Sequence, residues 1–246
     1  MSRSFTYSSL ILRVRPSGES NRDVWFLTAE EGIIRATSFG GPKSKLRAHI
    51  SPFHTGTLWV YYNPVKDSRK VTDFDVHSWR PGIRERYERM ISASSLVETI
   101  LATQGGGGNW DTALALANST LDALADADET HCTRIMVHFL WGWALFLGIA
   151  PELEHCAACA CPPASDGLLW FSKRDGVLLC SNCARNHDAA AICPGARRWL
   201  AAVENLPSAQ LVRYTLDAQA LSQARFMTTH LLAGALGRWL SSWGAV

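Results

Sequence analysis

Long apolar runs and dense charge are both missing from this chain of 246 residues. The longest apolar stretch, Met136 to Ala150, contains His138 and is short of the roughly 20 residues a bilayer-spanning helix needs. It reads as a buried helix, and no membrane partner is expected. Met1-Ser2-Arg3-Ser4-Phe5-Thr6 lacks the apolar core of a secretory signal. Charged residues are 19% of the chain and hydrophobic ones 47%, which excludes a disordered polyelectrolyte and indicates a globular protein with a real core. No internal repeat is present, and the only low-complexity tract is Gly105-Gly106-Gly107-Gly108.

The signatures of several enzyme classes are absent too. A zinc deaminase needs a His-x-Glu beside its Pro-Cys-x-x-Cys, and no His-x-Glu occurs. Nor does a His-Glu-x-x-His. Gly40-Gly41-Pro42-Lys43-Ser44 looks superficially like a phosphate loop, but Pro42 stands where a glycine is required and removes an amide donor. The N-terminal segment has no paired carboxylate cluster to hold Mg²⁺ for a nuclease. No catalytic residue is expected.

What the chain does have is two Cys-x-x-Cys pairs. Cys156-Ala157-Ala158-Cys159 is answered by Cys180-Ser181-Asn182-Cys183, within a total of seven cysteines. An odd count with metal-type spacing suits a reducing compartment better than a secreted disulfide scaffold. Two such turns supply four thiolates to a tetrahedral Zn²⁺ with little backbone strain. Cys161 competes as a ligand, and Cys193, His155 and His187 stand near enough in sequence to do so. The symmetric set of Cys156, Cys159, Cys180 and Cys183 is preferred over any set containing those neighbours. Four thiolates close the coordination shell and leave no place for substrate or activated water, so the one zinc ion expected is structural. Cys132 reads as a small apolar residue at a helix start.

Charge divides unevenly along the chain. Residues 1–80 hold twelve Lys and Arg against seven Asp and Glu, whereas residues 81–246 hold twelve against fifteen. A basic first part points to a polyanion partner for that part alone. Its cations gather in the connections: Lys43, Lys45 and Arg47 after a predicted strand, with Arg35 before them, and Arg69 and Lys70 in the turn before the last strand. These six are the candidate nucleic-acid contacts. Trp59 and Tyr61 either stack on bases or, with Phe39, belong to the core.

The apolar period changes once. Tyr7–Val14, Val24–Thr28, Ile33–Ser38, Thr57–Tyr62 and Lys70–Val76 read as five short strands separated by turn chemistry. Such a string fits a small closed barrel of the OB type, with an SH3-like barrel or split sandwich as alternatives. Pro81-Gly82 marks a boundary, after which helical spacing begins. Helices are predicted from Ile83 to the four glycines, from Asn109 or Asp111 to about Ala125, from about Thr130 to Gly148, over Gly195–Asn205 and over Asp217–Ser242. Leu168–Phe171 and Val177–Leu179 form a candidate hairpin between the two cysteine pairs. The expected architecture is α+β and multidomain: an OB-fold over 1–80, then an α-helical domain over 81–246 with a Cys₄ zinc knuckle inserted at 152–190.

In this order the elements resemble one family, the bacterial recombination mediator RecO. The resemblance spans nearly the whole chain. It rests on Gly18-Glu19-Ser20 after the first strand and on Leu27-Thr28-Ala29-Glu30-Glu31-Gly32 before the third. Phe39-Gly40-Gly41-Pro42-Lys43-Ser44-Lys45-Leu46-Arg47, Ser51-Pro52-Phe53 and the paired Cys-x-x-Cys in a helical domain complete it. The basic loop here carries less charge than is usual in the family. The resemblance implies a protein of the cytoplasm and nucleoid that binds single- and double-stranded DNA and anneals complementary strands. With RecR, and often RecF, it would help load RecA onto DNA coated by single-stranded-DNA-binding protein. The acidic C-terminal tail of that coating protein is an implied ligand of the helical part, with Arg197, Arg198 and Arg225 as candidate cations. The alternative from a different class is a zinc-ribbon RNA-binding or transcription-associated scaffold.

Overall fold

A computed structural model of the chain describes residues 3–40 and 44–244, with only the backbone described for Lys45 and Val212. It divides into two compact units, Met1–Asp126 and Ala127–Val246.

The first unit is built on five strands: β1 (Ser4–Ser17), β2 (Asn21–Thr28), β3 (Gly32–Ser38), β4 (Thr55–Asn63) and β5 (Ser68–Ser78). They close in the order β1-β2-β3-β5-β4, every pairing antiparallel except β3 with β5. This is the OB-fold expected from the strand spacing. Alternation sets the inside of the barrel: Tyr7, Ile11, Val24, Phe26, Ile34, Leu58, Val60, Val71 and Phe74 form one buried cluster. Closure needs a tight point, which Gly56 supplies at a register shift in β4. A Cβ on Gly56 would lie 1.9 Å from the Asp75 carbonyl oxygen across the ladder.

The segment read as a basic loop contains a single-turn helix, α1 (Lys45–His49). Its Leu46, with Ile50 just beyond it, packs against the barrel core. Two longer helices, α2 (Tyr87–Ala102) and α3 (Trp110–Asp126), belong to the same unit as the barrel. The change from strand to helix thus falls near residue 80, but the compact unit runs on to Asp126. Gly32 lies so close to the Trp110 indole that a Cβ there would come within 2.7 Å of the ring, and Arg89 donates to the carbonyls of Gly82 and Ala125.

The second unit contains α4 (Glu129–Phe146), α5 (Pro194–Val203) and α6 (Ala218–Leu236), packed pairwise. Asp128 caps α4 by accepting from the His131 amide, and Asp217 caps α6 by accepting from Ala220. Helix α4 buries residues around most of its circumference, including Met136, Phe139, Trp141 and Trp143, as a central helix must. Helix α6 stops at Gly237, which takes a left-handed conformation, short of the expected Ser242. Between α4 and α5 lies a three-stranded sheet, β7-β6-β8, of β6 (Leu169–Ser172), β7 (Val177–Leu179) and β8 (Ala189–Ile192). The β6–β7 hairpin was expected; β8, after the second cysteine pair, was not. Among the described residues no helix is long and apolar enough to cross a membrane.

Candidate metal centre and nucleic-acid interface

The two Cys-x-x-Cys segments form matching turns. The Ala160 amide donates to the Cys156 carbonyl at 2.8 Å, and the Ala184 amide to that of Cys180 at 3.0 Å. The first turn is hung on the sheet by the Ala157 amide, which donates to the Leu178 carbonyl of β7 at 2.8 Å. These turns gather the sulfurs of Cys156, Cys159, Cys180 and Cys183 within 4.8 Å of one another, Cys159 and Cys180 standing 3.8 Å apart.

The electrostatics of this cluster fit a cation. Burial would raise the Cys156 thiol, but amides of Cys180, Cys159 and Ala158 donate to its sulfur and bring it down to about 6. Cys180 is lowered by the Cys183 amide against the opposing effect of burial. Cys159 is shifted upward: the Cys161 amide favours its thiolate, but the adjoining sulfurs of Cys156, Cys161 and Cys180 outweigh it. Four thiols this close cannot all ionise unless a positive charge sits among them. The donor set therefore fits a metal ion.

Three of the four competing ligands have other partners. His187 Nδ1 lies 3.1 Å from Asp175, and His155 Nδ1 3.6 Å from Glu152. The Cys193 sulfur caps α5 by accepting from the Ala196 amide. Glu152, Glu154 and His155 form a second close group, but all three are exposed, and the Glu152 carboxylate accepts the amides of the other two. Cys161 is exposed beside Cys159.

The outward wall of the barrel carries the second candidate site. On β2, Val24 and Phe26 point inward, so Asp23 and Trp25 point out. Register then aligns Arg13, Trp25 and Arg35 as one row across β1, β2 and β3. The guanidinium of Arg35 lies 5.2 Å from the Trp25 ring centre and that of Arg15 5.7 Å. The next row runs Arg15, Asp23, Thr37, Lys70 and Tyr61. Lys70 Nζ stands 5.2 Å from the ring of Phe39, which is 48% exposed. Asp23 binds Arg35 at 2.5 Å and accepts from Thr37 at 3.0 Å. Burial works against its charge, but those bonds hold it below the usual carboxylate range.

Of the six cations expected to meet nucleic acid, the four with described side chains are not brought to one place. Arg35 and Lys70 share the outward wall. Arg69 is held by Glu31 at 2.9 Å and lies over the Tyr62 ring. Arg47 sits in the last turn of α1. Lys43 lies outside the described residues, and only the backbone of Lys45, in α1, is described. Trp59 and Phe39 are surface residues, not core. Sequence reading missed Trp25 because Val24-Trp25-Phe26-Leu27 is an unbroken apolar run; the signal lies in alternation, which sets Trp25 opposite two arginines. It also misplaced Arg197. That side chain is buried and donates to the carbonyls of Leu153 and Gly167, so it is no free surface cation.

Comparison with known proteins supplies the family. A model described as "Recombination protein O N terminal" matches residues 1–78, and one described as "Recombination protein O C terminal" matches residues 84–244. The chain is 25% identical over 237 residues to the DNA repair protein RecO of Maridesulfovibrio salexigens, covering 92% of this chain and 94% of the relative. It is 27% identical over 234 residues to that of Rubrobacter xylanophilus, covering 93% and 91%. With the RecO of Nitratidesulfovibrio vulgaris strain Hildenborough, identity is 31% over 195 residues and 73% of each chain. The resemblance read from the motifs is thus borne out across both halves, and the chain belongs to the RecO family of DNA repair and recombination proteins.

Proposed function

We propose that this protein is a recombination mediator that binds single- and double-stranded DNA and anneals complementary strands. The observation that carries the reading is the row of Arg13, Trp25 and Arg35, with Arg15 and Lys70 beside it, on the outward wall of an OB barrel. OB-folds take oligonucleotides on the face of strands 2 and 3 and on the flanking loops. Cations there neutralise phosphates, and aromatic rings offer sequence-tolerant stacking surfaces. Arg69, in the β4–β5 hairpin, and Lys43 and Lys45, before β4, add cations to this term.

Mediation needs no bond-making. Exchange of one set of salt-sensitive phosphate contacts for another moves strands between proteins, so the protein acts by binding and not as an enzyme. Together with RecR, and with RecF in some settings, it would help load RecA where single-stranded-DNA-binding protein coats the strand. The acidic tail of that coating protein would dock on the helical unit, where Arg198 is exposed. Such a role places the protein with the nucleoid in the cytoplasm.

The metal is Zn²⁺ in this reading. Zn–S bonds of about 2.3 Å in a tetrahedron set sulfurs about 3.8 Å apart, the spacing found between Cys159 and Cys180. Cys156, Cys159, Cys180 and Cys183 would hold the ion, which would crosslink two loops and carry no chemistry. The test is an annealing assay with complementary oligonucleotides at several salt concentrations beside an RNA competitor. DNA annealing without cleavage is expected; RNA preference would favour the zinc-ribbon scaffold and overturn the mediator.

A further inference from the structure

Arg22 lies on β2 three residues before Trp25 but serves the other side of the strand. It shares the parity of Val24 and Phe26, which face the barrel core, whereas Asp23 and Trp25 face outward. At the mouth of the barrel its Nη1 donates to the carbonyl oxygens of Arg47 and Ile50, each at 3.3 Å. A cavity of about 360 Å³ opens there, lined by Gly18, Ser20 and Asn21 of the β1–β2 turn and by Arg22 and Arg47. Glu19 is the one acid in its lining. Among the described residues, neither guanidinium has a carboxylate partner within ion-pair distance. The two cations are close enough that Arg47, after burial, adds to the lowering of the Arg22 pKa.

We propose that this cleft is a second phosphate-binding site for nucleic acid, separate from the aromatic–cation wall, so that the β1–β2 ribbon holds one strand on its outside while the barrel mouth takes the backbone of another. The inference rests on the reading of the outer wall as a nucleic-acid surface. A phosphodiester supplies what the two guanidinium groups lack, an anionic partner whose acceptor oxygens match their forks. Val14, Pro16, Ile50 and Pro52 also line the cleft, apolar walls that do not compete with a phosphate for the two guanidinium groups. The functional consequence is geometric. Two strands held on opposite faces of one ribbon meet at a raised effective concentration, so pairing needs both sites while capture of one strand needs only the wall.

Arg47→Glu tests this in the full chain. Arg22 uses the backbone carbonyl of Arg47 and not its side chain, so the fold should persist, as a thermal melt would verify. With fluorescent oligothymidine as probe, affinity for a first strand should stay within about twofold, while annealing of complementary oligonucleotides and capture of a second, non-complementary strand fall about tenfold. Arg22→Lys keeps the charge but loses the fork, and should move the same two readouts in the same direction. Equal losses in first-strand affinity and annealing would mean one continuous site, and unchanged annealing would mean no second site; either overturns the proposal. The reading beneath it is tested apart, by Trp25→Ala with Arg35→Ala. That double variant must lose oligothymidine affinity, and if it does not, the outer wall is not the first-strand surface whatever Arg47→Glu does.

Discussion

Arg80 Nε donates to the Asp122 carboxylate at 2.6 Å, joining the segment just beyond the last barrel strand to helix α3. The arginine side chain is 3% exposed and the aspartate 59%. Arg80 also donates to the Phe53 carbonyl at 2.7 Å, the Thr55 hydroxyl at 2.8 Å and the Asn118 side-chain oxygen at 3.2 Å. Its backbone is left-handed, with φ 47°, a conformation an L-residue keeps only when its surroundings hold it there. One guanidinium thus ties the loop before β4, β4 itself and α3 into the unit that ends at Asp126.

The two partners should therefore respond unequally to removal. Arg80→Ala orphans buried acceptors and is expected to cost about 2–4 kcal/mol. Asp122→Ala removes a charge already facing water and should cost less than about 1 kcal/mol. Urea denaturation of both variants measures the difference. Equal costs would mean that the ion pair, and not the carbonyl and hydroxyl acceptors, supplies the stabilisation.

In the second unit Arg197 has the matching role. It is buried on α5 and donates to the Leu153 carbonyl, just before the first cysteine pair, and to the Gly167 carbonyl at 2.6 Å, just before β6. Both ends of the loop that carries Cys156 and Cys159 are thereby fixed to one helix. Arg197→Lys keeps the charge but cannot span both carbonyls, and should destabilise the unit by about 1–3 kcal/mol. Proteolysis should then begin within residues 153–167. Cleavage unchanged in rate and position would show that Arg197 does not hold that loop.

These two arginines mark where sequence reading stopped. The paired Cys-x-x-Cys and the strand over Thr57–Tyr62 are local patterns, and both were legible before any fold was known. A buried arginine is not local: Arg80 and Arg197 look like any surface cation until the carbonyls around them are placed by distant segments. Trp25 was hidden for the same reason, since an apolar run does not say which side of it faces out until the barrel closes. Helix α1 is too short for periodicity to show, and β8 exists because β6 offers it an edge.

Removal of metal ligands should act on stability and metal content together. Cys156→Ser and Cys180→Ser each take one thiolate from the four-sulfur cluster and leave the remaining sulfurs without a full shell. Zinc measured per chain should fall, and the second unit should melt at lower temperature, with chelator treatment of the unaltered protein moving the melt the same way. Full zinc retention in the double variant would remove these cysteines from the ligand set.

Acid should weaken both units through histidines that are kept neutral. His138 is buried on α4, with Nε2 3.1 Å from the Val203 carbonyl and Nδ1 facing the Ser208 hydroxyl at 3.4 Å. His54 is buried in the first unit, its Nδ1 2.9 Å from the His49 carbonyl. Burial lowers the pKa of each, against the raising effect of those carbonyl bonds. The unfolded chain, with histidine near about 6.5, then binds more protons than the folded one as pH falls below that value. The stabilisation is complete above about pH 6.5 and is lost progressively as pH falls toward the lower folded values. Melting curves between pH 7.5 and 5.5 should therefore show a falling Tm. His138→Leu removes one titrating group while leaving the Val203 carbonyl without its donor, so it should start from a lower Tm at pH 7.5 and fall less steeply. A slope as steep as that of the unaltered protein would show that His138 does not drive the acid sensitivity of its unit.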